Sequence, residues 1–339
     1  MRPVVRVTAL VVSLVLALAA VALASGCGDD DTAEESPSPA ATKASYDIGI
    51  TQIVSHPALD ACVEGFKEGM AEKGFTEGEN VTYDVQNAQG DMATASSIAQ
   101  KFASDELDLI LGIATPTTQA MVKAEKTTPI VFTAVTDPVG AGLVKDAEAP
   151  EANVTGASDM LPVEPHLELI KQIVPDVKTI GVLYNAGETN SVFLVEAEKE
   201  AAEAMGIKVI EATASNSSEV QAAAKSLVGR VDAISVLTDN TIVSALETVI
   251  KVSQENKIPL IAGDTDSVKR GAVAAYAFDY KDLGMQAGYM AAEILGGKAI
   301  MDIPVQYAEN LMLSVNPTAA EAMGVAIPED LAAEADETF

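Results

Sequence analysis

The chain is expected to fold as α/β, in two doubly wound parallel-sheet lobes. Three observations lead there. From Tyr46 onward, short β-rich runs alternate with amphipathic helical windows. Several runs, such as Leu109–Ile113 and Ala233–Leu237, are continuously apolar, as strands buried on both faces of a parallel sheet are. The alternation also runs once to about Thr155–Ser158 and restarts after Pro162, which implies two similar sheets. A length of 339 residues suits two lobes.

In order, strands are expected at Asp47–Ile50, Val81–Gln86, Leu109–Ile113, Ile130–Ala134, Thr179–Tyr184, Lys208–Ala212, Ala233–Leu237, Leu260–Ala262 and Ala272–Ala275. Helical windows lie between them at Ala58–Lys73, Met92–Ala103, Thr117–Lys126, Val192–Met205, Val220–Leu227 and Ile242–Asn256. Gly74 and Gly206 fall just past helices, where a left-handed C-cap is needed. Ser217-Ser218-Glu219 and Thr238-Asp239-Asn240 offer side chains that cap a helix start. Beyond Phe278-Asp279-Tyr280 come a helix over Leu283–Leu295, strands near Ile303–Tyr307 and Leu311–Asn316, and a helix near Pro317–Met323. Residues 331–339 read as an acidic tail.

The N-terminus reads as an address. Arg2 and Arg6 precede an apolar run, Ala9 to Ala24, interrupted only by Ser13. Small residues then lead to Cys27. A basic start, an apolar run and small residues form a secretory signal. Leu23-Ala24-Ser25-Gly26-Cys27 resembles a bacterial lipobox, with Leu23 one place before the position that pattern usually fills. Residues 1–27 are therefore expected to be a lipoprotein signal whose Cys27 is acylated, carrying palmitate-type chains. Residues 28–45, rich in Asp, Ser, Pro and Ala, are too poor in apolar area to fold and read as a tether. The folded body would then stand on the outer face of the bacterial cytoplasmic membrane.

Composition narrows the function. With 21 Lys+Arg against 50 Asp+Glu, the net charge is −29. Such a chain repels a phosphate backbone, so nucleic acid is excluded as a partner. A bilobed repressor is excluded with it, because no basic headpiece is present. Cys27 aside, Cys62 is the only thiol. It sits in a helical pattern with Leu59, Val63 and Phe66 and reads as core. One Cys beside two His provides neither a disulfide nor a structural zinc site. No metal or other cofactor is expected. His166 reads as an exposed first-turn residue, and His56 as either a turn residue or a ligand neighbour. Nucleophile-elbow, phosphate-loop and zinc-protease motifs are all lacking.

Ligands of open parallel sheets bind beyond the carboxyl ends of the strands. There the chain carries Thr51-Gln52, Thr115-Pro116-Thr117-Thr118 and Thr136-Asp137-Pro138 in its first half. The second half carries Asn185 to Ser191, Thr238 to Thr241, and Gly263-Asp264-Thr265-Asp266. Each of these alone is as well explained as a helix cap. Together, hydroxyls and free N–H groups suit a carboxylate while Asp and Glu suit an ammonium, so the set fits a zwitterion such as an amino acid.

The same segments carry a resemblance. Ile48-Gly49-Ile50-Thr51-Gln52, His56-Pro57-Ala58-Leu59-Asp60, Asn87-Ala88-Gln89-Gly90-Asp91 and Thr136-Asp137-Pro138-Val139-Gly140 occur in this order. Asn153-Val154-Thr155-Gly156, Glu188-Thr189-Asn190-Ser191, Thr238-Asp239-Asn240 and Asp264-Thr265-Asp266-Ser267 follow. Together they resemble ABC-transporter substrate-binding lipoproteins of the tryptophan- and tyrosine-binding kind, over nearly all of Tyr46–Pro328. The resemblance implies a periplasmic-binding-protein fold with three hinge crossings, near Gly156–Asp159, Phe278–Tyr280 and Val305–Ala308. One lobe would comprise 46–157 plus 279–305, and the other 158–278 plus 306–330. It further implies a ligand held between closing lobes and delivery to an ABC permease driven by its ATPase.

On that mapping Gln52, Thr115, Thr136 and Asp137 contact the ligand from one lobe. Asn185, Glu188, Ser191, Asp239, Asn240 and Asp264 contact it from the other. Asp239 is the expected ammonium partner, and Thr115 and Ser191 the carboxylate donors. An aromatic amino acid is preferred, with a branched aliphatic one still open. Two other roles fit the same residues: a sensing or adhesive surface lipoprotein that presents ligand to a membrane receptor, and an exported enzyme on the same fold.

Overall fold

The computed structural model describes residues 43–150, 152–308 and 310–339. The expected signal, Cys27 and most of the tether lie outside the described residues. Of the tether's last residues, Lys43 is tied down: its ammonium bonds Asp108 at 2.7–2.8 Å.

The first sheet begins with β1 (Tyr46–Gln52), α1 (Pro57–Glu72), β2 (Val81–Asn87), α2 (Met92–Ser104) and β3 (Leu109–Ile113). It continues with α3 (Thr115–Ala124), β4 (Ile130–Thr133) and β5 (Val154–Ser158). The chain then builds a second sheet. Its first elements are α4 (Val163–Ile173), β6 (Thr179–Tyr184), α5 (Thr189–Ala204), β7 (Lys208–Thr213), α6 (Val220–Leu227) and β8 (Ala233–Val236). Next come α7 (Asn240–Ser244), α8 (Leu246–Asn256), β9 (Leu260–Ala262), α9 (Thr265–Arg270) and β10 (Ala274–Ala277). After α10 (Tyr280–Leu295) and β11 (Gln306–Tyr307), the chain ends in β12 (Met312–Val315), α11 (Pro317–Ala322), α12 (Glu329–Glu334) and β13 (Glu337–Thr338).

The strand orders are β11-β5-β4-β3-β1-β2 and β13-β12-β10-β9-β8-β6-β7. Every pairing is parallel except β10 with β12. Each half thus contains the 2-1-3-4-5 order of a doubly wound fold, and its crevice opens where the winding reverses, between β1 and β3 and between β6 and β8. The fully buried strands β3, β4, β5, β8 and β9 are the apolar runs of the sequence. Because α10 packs on α1, β4 and β5, the chain passes between the lobes three times: after β5, after β10 and after β11.

Four expectations need correction. Residues 331–339 are not a tail, since β13 pairs with β12 and Asp336 accepts from Leu313 N at 2.8 Å. The segment 306–307 belongs to the first sheet, through β11 and β5. The helix expected over 242–256 breaks at Ala245, whose N–H closes a turn on Ile242 O. His166 is fully buried, not exposed: α4 has a strongly apolar face that turns it inward, with Nε2 2.9 Å from Ser235 Oγ and 3.8 Å from Glu198 Oε1. Burial pulls His166 down to about 4 and pushes Glu198 up to about 7. Cys62 is a buried free thiol. Among the described residues no helix is long and apolar enough to cross a membrane.

Candidate functional site

The carboxyl ends of the two sheets face each other across a crevice with two neighbouring spaces. The inner one, about 20 Å³, has room for a single water-sized group. Three buried carboxylates line it: Asp159, Asp239 and Asp264. Asp159 follows β5 at the first crossing. Its oxygens accept from Thr136 Oγ1 (3.0 Å) and from the Tyr280 hydroxyl at the second crossing (2.8 Å). Asp239 caps α7, taking Ile242 N at 2.8 Å on one oxygen and Asn185 N at 2.6 Å on the other. Asp264 caps α9, taking Ser267 N (2.7 Å) and Ser267 Oγ (2.5 Å).

Burial raises the pKa of all three, because water no longer solvates the charged form. Asp239 is pushed up to about 7 by burial and then by the charge of Glu188, while Asp159 and Asp264 rise mainly by burial. His56 stands at the N-cap of α1 in the same pocket. Burial, and then the Arg270 charge, hold it down to about 4, so it is neutral at physiological pH.

The outer space, about 300 Å³, opens beside the inner one, and Asn240 lines both. One wall carries Ile53, Val54, Met92 and Pro116 together with the polar Gln89, and the other Asn185, Glu188, Thr241 and the turn after β7. Glu188 is spent within its own lobe. It accepts from Asn240 Nδ2 (2.6 Å), Thr241 Oγ1 (2.7 Å) and Thr241 N (3.1 Å), closing the start of α7.

Three residues lining the inner space hold buried polar atoms without partners, His56 Nδ1 from one lobe and Asn190 Oδ1 and Thr238 Oγ1 from the other, and Thr51 Oγ1 and Thr115 Oγ1, at the ends of β1 and β3, are likewise unpartnered. An orphaned buried group costs about 1–3 kcal/mol. Nor does any side chain cap the helices that begin on either side, α3 and α5, and the two touch across the crevice where Gln119 Nε2 reaches Thr189 Oγ1 at 3.4 Å. Their first N–H groups form a positive end on each lobe. Ala114, just before α3, and Ala134 hold φ at 72° and 55°, left-handed conformations that a residue with a Cβ adopts under strain.

Of the residues expected from sequence, the inner pocket gathers Thr136, Asp239, Asn240 and Asp264, and the outer one Asn185, Glu188 and Asn240. Thr115 and Ser191 sit buried in the first turns of α3 and α5. Gln52 and Asp137 line neither space. Gln52 Nε2 is bonded to Asp60 (2.7 Å) and Val54 O (2.8 Å), and Asp137 closes its own turn on Gly140 N (2.8 Å). Asn190 and Thr238 lay in the strand-end runs, and Asp159 and Tyr280 at the expected hinge crossings, but none of the four was assigned a ligand contact from sequence, and all four line the inner space. Applying the strand-end rule to β5 would have found Asp159. Tyr280 reaches the pocket only through the hinge. Among the described residues no group of three or more His, Cys, Asp or Glu is arranged to hold a metal ion.

The arrangement can bind and enclose a small charged molecule, and relatives do so. The family described as ABC transporter substrate binding protein matches residues 47–339. A tyrosine-binding protein of Clostridioides difficile is 44% identical over 316 residues, covering 92% of each chain. A Streptococcus pneumonia ABC domain solved in complex with L-Trp is 37% identical, with a TM-score of 0.84 over 87% of this chain and 100% of that one. The ligand-free, open structure of a Clostridium difficile substrate binding protein with adhesive properties is 46% identical, yet its TM-score is 0.66 over 87% and 99% of the two chains. With its paired doubly wound sheets, triple crossing and interlobe pocket, the chain belongs to the ABC transporter substrate-binding proteins, of periplasmic-binding-protein type I fold.

Proposed function

We propose that the protein captures an amino acid, aromatic by preference, and delivers it to the permease of an ABC importer whose ATPase drives uptake. The observation that carries this is the convergence of both lobes on one water-sized space. Three buried carboxylates line it, and two uncapped helix starts adjoin it, that of α3 carrying the unpartnered Thr115 hydroxyl. An ammonium fits the inner space, and Asp159 is its best partner, because its oxygens are held only by two hydroxyls while Asp239 and Asp264 are committed as caps. The ligand carboxylate falls to the α3 and α5 starts, with Thr115 and Ser191 as donors. The relatives named for tyrosine and solved with tryptophan support the aromatic choice. Binding rather than turnover is the role, since the pocket's own buried groups are arranged to hold charge; the buried hydroxyl that lies beside an imidazole, Ser235 at His166, lines neither space.

Calorimetric titration with the twenty amino acids tests this. At least one is expected to bind, and Asp159→Asn to weaken it about a hundredfold with an unchanged melting temperature. Binding unaffected by Asp159→Asn would remove the ammonium assignment, and no binding at all the amino-acid reading.

The signal pattern supports anchoring through acylated Cys27 on the outer face of the cytoplasmic membrane. Replacing it, Cys27→Ser, is expected to move the protein from the membrane fraction to the soluble extracytoplasmic one. Retention of the variant at the membrane would sink the anchor.

A further inference from the structure

Inside the second lobe, apart from the crevice, three polar side chains meet out of reach of water. His166 of α4, Glu198 of α5 and Ser235 of β8 are each fully buried. His166 Nε2 lies 2.9 Å from Ser235 Oγ and 3.8 Å from Glu198 Oε1. His166 Nδ1 and both Glu198 oxygens have no hydrogen-bond partner. None of the three lines either space of the crevice.

An imidazolium and a carboxylate here would be two buried charges 3.8 Å apart with no hydrogen bond between them. Such a pair does not recover the cost of leaving water. The elements packed on α4 and α5 bring no other charge to it. Glu164, Glu168 and Lys171 of α4, Glu196, Glu200 and Glu203 of α5, Lys123 of α3, and Lys208 and Glu211 of β7 are all exposed. Lys199 pairs with Glu196 and Glu211 at 2.8 and 3.0 Å, and the Tyr184 hydroxyl of β6 donates to Glu211. Tyr276 of β10 is half-buried, and β8 has no ionisable side chain. Burial raises the Glu198 carboxyl, only partly offset by the Ser235 hydroxyl, and lowers His166, so a proton shared between them favours the carboxyl.

We infer that folding moves one proton from the His166 imidazole to the Glu198 carboxyl, and that Glu198, Ser235 and His166 form a neutral brace joining α4, α5 and β8. On α5, Glu198 lies two turns beyond Ser191, on the same face, and on β8 Ser235 comes four residues before Asp239. The brace thus ties together the two elements that carry these residues to the crevice. It also has a pH signature. The share of Glu198 in stability is lost as pH rises from about 4.5 to 7, whereas that of His166 is lost as pH falls from about 6.5 to 4. Between about pH 4.5 and 6.5 the two slopes cancel.

Two measurements test this. Nitrogen-15 NMR of the purified, histidine-labelled protein reads the charge of each ring directly. The chain has two His, and His56→Gln assigns them. His166 is expected to be neutral at pH 6; an imidazolium there overturns the inference, whatever the variants do. Chemical denaturation across pH 4.5 to 6.5 then compares Glu198→Gln and His166→Gln with the wild type, so that the titration of Asp239 cancels. Relative to the wild type, the folding constant of Glu198→Gln is expected to rise with pH, by up to about tenfold per unit, and that of His166→Gln to fall. Ratios that stay flat, or that slope the same way, overturn it as well.

Discussion

Asp159, Asp239 and Asp264 share one small pocket, and their protonation ties binding to pH. All three have pKa values above the ordinary 3.8, Asp239 at about 7. A carboxylate raised on folding contributes stability that is complete below its unfolded value and is lost as pH climbs through the folded one. The ligand-free protein therefore loses stability between about pH 4 and 7 as Asp239 ionises in the pocket. An ammonium among these groups favours their ionised form, so binding expels protons. Affinity is expected to rise with pH from 5 to about 7, by up to about tenfold per unit for each proton released, and then to level. Titrations from pH 5 to 8 in buffers of different ionisation heat measure the proton count. A flat profile with no proton release would rule out an ammonium site here. His56, held near 4, stays neutral throughout and adds nothing to the slope.

Among the elements, α1 and α10 make the closest pairing. A Cβ on Gly65 would lie 1.9 Å from Lys281 O, and one on Gly284 2.3 Å from Cys62 O. The backbones thus meet directly, and α10, which begins at the second crossing, is pinned to the first lobe along its length. Gly284→Ala is expected to push the helices apart and destabilise the fold by about 1–3 kcal/mol. Chemical denaturation would show this as a lower midpoint at unchanged slope; an unaltered midpoint would contradict the direct backbone contact. Capping varies from helix to helix. Asp91, Asp239, Asp264, Asp279 and Asn316 each accept from a first-turn N–H, whereas α3 and α5, which face the crevice, lack a side-chain cap. Other starts, those of α1, α4, α6, α8 and α12, lack such a cap as well, so it is the position of α3 and α5 at the crevice that sets them apart.

For the molecule as a whole, the bond between Asp159 and Tyr280 joins the first crossing to the second. A ligand bound at Asp159 is therefore held at the hinge itself and touches both lobes, and closure follows only from contacts that exist when the lobes are together. Small-angle scattering is expected to give a smaller radius of gyration with saturating ligand than without. An identical radius in the two states, with binding confirmed by calorimetry, would mean that the lobes do not move. Polar groups of opposite lobes, such as Gln119 and Thr189, are already within reach of each other.

Much of this was legible in the order of the residues. The apolar runs at Leu109–Ile113 and Ala233–Val236 became fully buried strands, because a parallel sheet covered on both faces leaves no polar side to its strands. The interruption at Pro162 marked the first passage between lobes for the same local reason. Asp239 and Asp264 were identifiable as strand-end polar residues, though the sequence did not show that their oxygens are occupied by N–H groups of the next turn. His166 escaped because its partners Ser235 and Glu198 lie on other elements. Residues 331–339 escaped because a two-residue strand gains its hydrogen bonds only from a neighbour already in place. Local pattern thus determined which segments are strands and helices and which ends face the crevice. Only the tertiary structure decided which carboxylates share the inner pocket, since Asp159 and Tyr280, far apart along the chain, meet at the hinge and nowhere in the sequence.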